Sequence, residues 1–262
     1  MRVWGRAAFG AFTMGIALGC AGAVSDLVGN RYVPAAVCAL VAILLIRPLR
    51  RRRELGLVRG LRSFATGVVV TGGSAVVVLG LGTLAGWISW GRFHPGDVLV
   101  FLVTNAAVAI LLEAFPEEIC LRGHTWSVLR SRYRGAIAAF GTTFLFLLVP
   151  GISSVVQLVL GRIVGATPTS LSLAPAGEDP IAYFFLLTIF GLTLIAARQA
   201  TGSLWTSIGT HLTFLTVNRL TIDGAARDAG WSADLVSPDV LLLVPLYLVL
   251  AAIVYRVRGT AR

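Results

Sequence analysis

Eight apolar runs, separated by short polar segments, follow one another along the chain. They cover about Ala7–Ser25, Tyr32–Ile46, Ser63–Trp90, Val98–Leu112, Gly135–Gly161, Ile181–Ala197, Ser203–Asn218 and Val240–Tyr255, and the fourth runs on into a segment that contains three glutamates. A helix needs about 20 apolar residues to cross the hydrocarbon core of a bilayer, and arginines at the ends of a shorter run reach the interface. The pattern predicts an all-α fold, a polytopic membrane helix bundle of about eight transmembrane helices. We expect residues 1–262 to form a single integral membrane domain.

Two other features concern how these runs pack and connect. The third run is rich in glycine, which lets helices approach each other closely and indicates packing rather than function. Gly165–Asp179 and Thr221–Pro238 are rich in small, polar and turn-forming residues, so we expect loops there. Those loops are long enough to cover a cavity, although nothing in them resembles a catalytic motif.

Composition excludes a soluble domain. The 262 residues are 56% hydrophobic and 13% charged, with a mean hydropathy of +0.85. The net charge of +10 comes from arginine, because the chain contains no lysine. These charges lie in short segments between apolar runs instead of forming one face of a soluble domain. We therefore expect the lipid bilayer as the partner of the basic charge, and no nucleic acid.

The arginines also predict how the chain is oriented. Segments that stay in the cytoplasm carry the positive excess. With the N-terminus inside, the inner segments hold 17 of the 22 arginines and the outer segments hold five. Both termini are therefore predicted to be cytoplasmic. Seven of the inner arginines lie in the loop Arg47–Arg62, which we interpret as a topology signal that also contacts anionic lipid headgroups.

The first run does not resemble a cleaved signal peptide, and the cysteines do not resemble a disulfide or metal motif. Residues Met1 to about Asn30 have a basic start and a long apolar stretch, which is long for a cleaved signal peptide and favours a retained first span. Cys20, Cys38 and Cys120 lie in or beside apolar runs without paired spacing. Neither a disulfide framework nor a zinc site is expected.

The main candidate for chemistry is the stretch Glu113–His124, which directly follows an apolar run. Ionisable groups at membrane depth are costly unless they are paired or hydrated, and so they indicate a functional site. If this stretch is α-helical, Glu113, Glu117 and His124 share one face, whereas Arg122 pairs with Glu118 one turn away. Arg122 would neutralise Glu118 and leave Glu117 for water or substrate.

Two further stretches place polar groups or breaks within apolar runs. His211 lies about eight residues into the seventh run, and Asn218 follows it by two helical turns. A lone histidine in a bilayer span, with carboxylates elsewhere in the chain, indicates a site residue. Pro150 and Gly151 are expected to kink the fifth run and to open space in the bundle.

These residues together resemble the CPBP family, the CAAX-protease and bacteriocin-processing (Abi-like) membrane proteins. The segment from Glu117 to Arg122 matches the family motif EExxxR, and the small-residue and Trp run that ends at His211 is similar to its last motif. The resemblance covers about residues 98–220, which we take as a CPBP-like core. It implies a multi-pass protein of a bacterial cytoplasmic membrane.

The resemblance also implies an activity and residue roles. In active members of the family a glutamate and a histidine are thought to activate water for hydrolysis of a peptide bond. Glu117 would then be the water-activating base, Arg122 would position Glu118, and His211 would stabilise the oxyanion. The implied partner is a membrane-associated peptide or protein substrate, and no cofactor or metal is expected.

The chain departs from the family pattern at two positions that bear on the chemistry. Pro150 stands where the motif FxxxH has its histidine, and Leu215 stands where an asparagine follows the last histidine. General acid–base partners and oxyanion donors each contribute about 100-fold or more in rate. Glu113, His124 and Asn218 are accessory candidates, although His124 is about 10 Å along a helix from Glu117.

Three functions remain open from the sequence. The first is an intramembrane endopeptidase that uses Glu-activated water. The second is a catalytically inactive family member that acts as a membrane regulatory or immunity protein, which the departures at Pro150 and Leu215 favour. The third is a transporter with a glutamate proton relay, but the chain lacks the repeated halves that many transporters show.

Overall fold

A computed structural model describes residues 2–47, 55–163, 171, 173, 174 and 179–260. Within these residues the chain forms eight helices and one two-stranded sheet. The helices are α1 Arg2–Ser25, α2 Tyr32–Ile46, α3 Gly60–Leu84, α4 Pro95–Arg130, α5 Gly135–Ile163, α6 Pro180–Thr201, α7 Leu204–Thr221 and α8 Leu243–Thr260. The strands are β1 Ile88–Trp90 and β2 Ala233–Leu235, and a short 3₁₀ helix at Pro238–Leu242 leads into α8.

Six of these helices are long and apolar enough to cross a membrane: α1, α3, α4, α5, α6 and α8 together with its 3₁₀ lead. Helix α2 is apolar but has 15 residues, and α7 has 18. The prediction of an all-α polytopic membrane bundle is confirmed. The cytoplasmic placement of both termini stays a prediction.

Local sequence explains where several helices begin and end. Asp179 caps the start of α6 by accepting a hydrogen bond from the backbone N–H of Ala182 at 2.8 Å, and Pro180 occupies the first turn, where a missing N–H costs nothing. Gly202 ends α6 in the left-handed conformation (φ 69°), and Ser203 then caps α7. The turn between α6 and α7 is therefore only two residues long.

One predicted span and one predicted loop were wrong in part. The third span was expected to run from Ser63 to Trp90, but α3 ends at Leu84 and β1 follows it. Gly86 has φ +75°, and the N–H of Trp87 bonds back to Gly82, so the helix stops there. β1 pairs antiparallel with β2, which lies in the region Thr221–Pro238 that was expected to be a loop.

Glycines bring two pairs of helices into close contact. A Cβ atom added at Gly67 of α3 would lie 2.4 Å from the carbonyl oxygen of Thr206 of α7, and one added at Gly209 would lie 2.4 Å from the carbonyl oxygen of Phe64. In α1, a Cβ added at Gly15 would lie 2.4 Å from the side chain of Ile152 of α5, and one added at Gly19 would lie 2.5 Å from that of Val156. Small residues therefore set the separation of these helices, as expected for a membrane bundle.

The two halves of helix α5 pack against different neighbouring helices. The helix is interrupted at Leu148, just before Pro150, as expected from the proline. Its first half packs on α6, where Gly191 lies against Thr143, whereas its second half lies against α1, where Ile152 meets Gly15. The two halves therefore lean on different neighbours, and a wedge of space separates the second half from α6.

The helix ends form two sets, because successive helices run in opposite directions. We call one set the basic end: Arg2, Ile46, Gly60, Arg130, Gly135, Thr201, Leu204 and Thr260. We call the other set the far end: Ser25, Tyr32, Leu84, Pro95, Ile163, Pro180, Thr221 and Leu243. The β1–β2 sheet lies at the far end. Residues 48–54 of the basic loop Arg47–Arg62, which include Arg50, Arg51, Arg52 and Arg53, and most of Gly165–Asp179 lie outside the described residues.

Candidate functional site

Helix α4 carries the candidate residues on an irregular backbone. Ile110–Ala114 and Glu118–Thr125 are π-helical, and the α-helical turn Phe115–Glu117 lies between them. Single π turns are rare and are frequently found at functional sites. The hydroxyl of Thr125 donates to the carbonyl oxygen of Cys120, five residues earlier, at 3.1 Å and to that of Ala7 at 2.8 Å. These bonds stabilise the wide turn against α1.

Glu118 joins α4 to α7. Its Oε1 accepts hydrogen bonds from Arg122 Nη1 at 3.3 Å and from His211 Nδ1 at 3.1 Å. The side chains of Glu118 and Arg122 are fully buried, and that of His211 is 2% exposed. The expected pairing of Arg122 with Glu118 is present. The contact with His211 was not expected, and it brings two of the sequence motifs together.

Aromatic rings enclose Glu118, Arg122 and His211, which we call the charged group. The guanidinium of Arg122 lies 4.6 Å from the centre of the Phe146 ring, and the His211 ring meets Phe190 edge to face at 4.8 Å. A cation over an aromatic face is attracted by about 0.5–2 kcal/mol. Phe190 also stacks on Phe214. The group is therefore held in a low-dielectric setting in which its mutual charge interactions are strong.

Glu117 faces a cavity instead of the charged group. The cavity has a volume of about 560 Å³, within the range of ligand sites, and most of its lining is apolar. Its polar lining includes Glu113, Glu117 and His211, so Glu113 and Glu117 do share one face as expected. Because Nδ1 of His211 is held by Glu118, Nε2 is the ring nitrogen available to this cavity.

Glu113 has its own partner. Its Oε1 accepts a hydrogen bond from Arg219 Nη2 at 2.6 Å, and Arg219 Nη1 donates to Asn105 Oδ1 at 3.4 Å. Both ends of this ion pair are partly exposed, at 21% for Glu113 and 17% for Arg219. Glu113 is therefore neutralised by α7, whereas Glu117 presents its carboxylate to the cavity.

Two accessory candidates lie elsewhere. His124 was expected on the face of Glu117, which was wrong: its Nε2 lies 2.9 Å from the carbonyl oxygen of Arg6, against α1. The π-helical turns change the angular spacing, so the α-helical assumption no longer holds between Glu117 and His124. Asn218 donates to the hydroxyl of Tyr247 at 2.8 Å and does not line the cavity.

The two positions that depart from the family pattern line the cavity. Pro150 of α5 and Leu215 of α7 both contribute to its wall. Neither side chain has a polar atom, so neither supplies a proton donor or acceptor there. Ser153, one turn after Pro150, is the hydroxyl in that part of the lining.

Sequence reasoning missed Arg219 and Phe190. Arg219 directly follows the seventh run and was counted only as an outer charge, whereas the structure places it inside α7. An arginine within such a helix indicates that a carboxylate lies nearby. Phe190 carried no signal, because one more aromatic residue in an apolar helix is indistinguishable from packing. Within the described residues no group of three His, Cys, Asp or Glu side chains is arranged to hold a metal ion. The expectation of no metal stays a prediction.

Comparison with known proteins supports the resemblance. Residues 99–217 match the family model described as type II CAAX prenyl endopeptidase Rce1-like. The match covers a little under half of the chain and contains Glu113, Glu117, Glu118, Arg122 and His211. No curated protein and no solved structure matched the chain. The family match confirms the resemblance noted from the sequence, and it associates this region with the CAAX-protease-type membrane peptidases at the level of the family.

Proposed function

We propose that this Rce1-like chain is an intramembrane endopeptidase that hydrolyses a peptide bond of a membrane-associated substrate by means of water activated by Glu117. The observation that carries the proposal is the shared cavity. Glu117 and His211 both line it, and Glu118 accepts a hydrogen bond from Nδ1 of His211. A carboxylate and an imidazole around one enclosed space are the groups that general base and oxyanion chemistry require.

Charge balance supports separate roles for the two glutamates. Glu117 and Glu118 carry two negative charges when ionised, and Arg122 supplies one positive charge. Net charge inside a membrane protein is costly. Because Nδ1 of His211 donates to Glu118, Nε2 can donate to an oxyanion only when both ring nitrogens carry a proton. The proposed reaction starts from that form of His211 with an ionised Glu117, which makes the group of four neutral.

The reaction follows from that state. Glu117 takes a proton from a water molecule, and the water oxygen attacks the carbonyl carbon of the scissile peptide bond. The carbonyl oxygen becomes an oxyanion that accepts a hydrogen bond from His211 Nε2–H. The C–N bond then breaks as Glu117 returns the proton to the leaving amine. Glu118 and Arg122 do not touch the substrate; they fix the orientation and charge of His211.

The alternative function rests on Pro150 and Leu215. Both line the cavity where polar groups would assist the reaction, and both are apolar. A chain that binds a membrane peptide without cutting it would keep the cavity and lose these groups. In that case the protein would act as a regulatory or immunity protein through binding alone.

The test is cleavage of a membrane-anchored peptide library by the full chain in nanodiscs. Three proteins are compared: the wild type, Glu117→Gln, and the double variant Pro150→His, Leu215→Asn. Glu117→Gln keeps the volume of the side chain and removes the base. Cleavage by the wild type that falls about 100-fold or more in Glu117→Gln supports the proposal.

The remaining outcomes separate the two functions. Activity found only in the double variant supports the binding function. The wild-type fold would then be able to hold a catalytic site but would lack the two polar side chains that the variant adds. Wild-type cleavage that survives in Glu117→Gln contradicts the proposed mechanism. Absence of cleavage by all three proteins contradicts the peptidase proposal itself.

A further inference from the structure

Helix α7, which carries His211, meets α3 through a close backbone contact. Gly67 of α3 and Gly209 of α7 lie at this contact, and a Cβ atom added at either glycine would clash with a carbonyl oxygen of the other helix. Small residues allow helices to approach in this way. A glycine has no side chain that interlocks with the facing helix, so this contact alone does not fix how α7 slides or rotates against α3.

A buried hydroxyl beside this contact connects three helices. Tyr255 of α8 is 1% exposed, and its hydroxyl lies 2.6 Å from Oγ1 of Thr210 on α7 and 3.2 Å from Oγ1 of Thr71 on α3. The same hydroxyl donates to the carbonyl oxygen of Gly67 at 3.3 Å. A hydroxyl has one hydrogen to donate and two lone pairs that accept. With Thr71 and Thr210 as donors, the hydrogen-bonding capacity of the Tyr255 hydroxyl is fully used.

Helix α8 reaches α7 through two long side chains. Its backbone packs on α3 and α6, and its buried residues Tyr247 and Tyr255 extend to Asn218 and Thr210 of α7. These two contacts differ in their distance from the candidate site. Thr210 directly precedes His211 in the chain, whereas Asn218 follows His211 by about two helical turns and does not line the cavity. Tyr255 therefore makes the contact that lies next to the site.

The hydroxyl network favours one position of α7. A movement of α7 along α3 would separate Thr210 from Tyr255 and leave buried polar atoms without partners, which is unfavourable in apolar surroundings. In the position that keeps these hydrogen bonds, Nδ1 of His211 lies 3.1 Å from Oε1 of Glu118. The network thus supplies the constraint on depth and rotation that the glycine contact lacks.

We propose that Tyr255 is a positioning residue for His211: its hydroxyl fixes the depth and rotation of α7, and so directs Nε2 of His211 to the cavity. Tyr255 does not line the cavity and is not a catalytic residue. The inference rests on the proposed function for the part that His211 takes in the reaction. The position of the His211 ring can be measured without reference to that reaction.

The variants remove or keep single hydroxyls. Tyr255→Phe removes the hydroxyl and keeps the ring, and Thr210→Val removes the partner on α7, which also serves if Tyr255→Phe does not fold. Thr210→Ser is the conservative variant, because it retains a hydroxyl. Tyr247→Phe is the matched control, because it removes the hydroxyl of the other buried tyrosine of α8 and breaks the contact with Asn218 instead.

Two measurements are made on each full-length protein in nanodiscs. The first is the kinetics of peptide cleavage. The second is the NMR spectrum of isotope-labelled histidine, in which the chain gives three imidazoles, those of His94, His124 and His211. The signal of His211 is identified by its loss in His211→Gln, and the other two signals report on the rest of the fold.

We expect Tyr255→Phe and Thr210→Val each to lower kcat about 10-fold with little change in KM, because small displacements of a reacting group are costly. In both variants the His211 signal should move while those of His94 and His124 stay in place. Thr210→Ser and Tyr247→Phe should keep both kcat and the His211 signal near the wild-type values. The double variant Tyr255→Phe, Thr210→Val should lose no more activity than either single variant, because both changes break the same hydrogen bond.

The other outcomes are distinct. An unmoved His211 signal in Tyr255→Phe overturns the inference, whatever happens to kcat. Equal losses of kcat in Tyr255→Phe and Tyr247→Phe also overturn it, because a general structural role of α8 would explain them. A moved signal with unchanged kcat overturns the positioning role in catalysis. A moved His211 signal in a protein whose wild type cleaves no peptide contradicts the proposed function and leaves the positioning of His211 by Tyr255 standing.

Discussion

The carboxylate of Glu118 contacts the imidazole of His211 at 3.1 Å, although 93 residues separate them in the chain. This contact locks α4 to α7 at the depth of the candidate site. It also fixes which ring nitrogen of His211 faces the cavity, because Nδ1 is occupied. In the proposed mechanism Glu118 is therefore a positioning residue, whereas Glu117 lines the cavity and acts as the base.

The first prediction concerns the stability that Glu118 provides. Glu118→Ala leaves Arg122 buried without a carboxylate, which costs about 3–5 kcal/mol. The matched control is Asp223→Ala, which breaks the ion pair with Arg227, in which both side chains are 46% exposed. An exposed pair contributes about 0–1 kcal/mol. Thermal unfolding in detergent should therefore show a much lower melting temperature for Glu118→Ala only; equal shifts would contradict the buried pair.

The second prediction separates two buried histidines. His211 and His124 are 2% and 4% exposed, and each makes a contact within hydrogen-bonding distance to another helix. Substitution by alanine should therefore lower the melting temperature of both proteins to a similar extent. Only His211→Ala should also lower kcat for peptide cleavage, by about 100-fold, because only His211 lines the cavity. A comparable loss of kcat in His124→Ala would contradict the placement of His124 against α1.

Sequence patterns were sufficient for what depends on hydrophobicity and local spacing. Six of the eight runs became helices within about five residues of their predicted ends, and the fourth continues as a helix through the glutamate stretch to Arg130. The break near Pro150 was expected because proline has no N–H to donate. The pairing of Glu118 with Arg122 also followed from local spacing. The third run was wrong at its end, because Trp87 and Trp90 look like membrane residues although Trp90 stacks on Trp231 beside the sheet.

The remaining features depend on contacts between distant segments or on backbone geometry that the sequence does not encode locally. No local pattern distinguishes a π turn from an α turn, so the position of His124 could not be predicted. The contact between Glu118 and His211 required the relative placement of α4 and α7. That Pro150 and Leu215 face the same cavity as Glu117 likewise needed the packed bundle.

The third prediction concerns the ion pair in the cavity wall. Arg219→Met removes the partner of Glu113 and leaves its carboxylate beside Glu117. A hydrogen bond to a charged group contributes about 1.5–3 kcal/mol. We expect Arg219→Met to be destabilised and the double variant Glu113→Gln, Arg219→Met to recover part of that loss. A double-mutant cycle on the free energy of unfolding measures the coupling; zero coupling would contradict the pair.

The last prediction tests whether glycine sets the distance between α3 and α7. A Cβ at Gly67 would lie 2.4 Å from the carbonyl oxygen of Thr206, and backbone atoms cannot move aside as a side chain can. Gly67→Ala should therefore destabilise the protein by about 1–3 kcal/mol. Gly73, on the same helix, is the matched control because nothing lies within 4 Å of its added Cβ.

Gly73→Ala should leave the melting temperature unchanged or raise it slightly, because alanine favours a helix by about 1 kcal/mol over glycine. The comparison cancels this propensity, since both substitutions gain it equally, and isolates the packing contribution. If Gly67→Ala unfolds at the same temperature as Gly73→Ala, the two helices are not in the close contact described above. The contact between α3 and α7 would then not be what holds α7, and with it His211, in place.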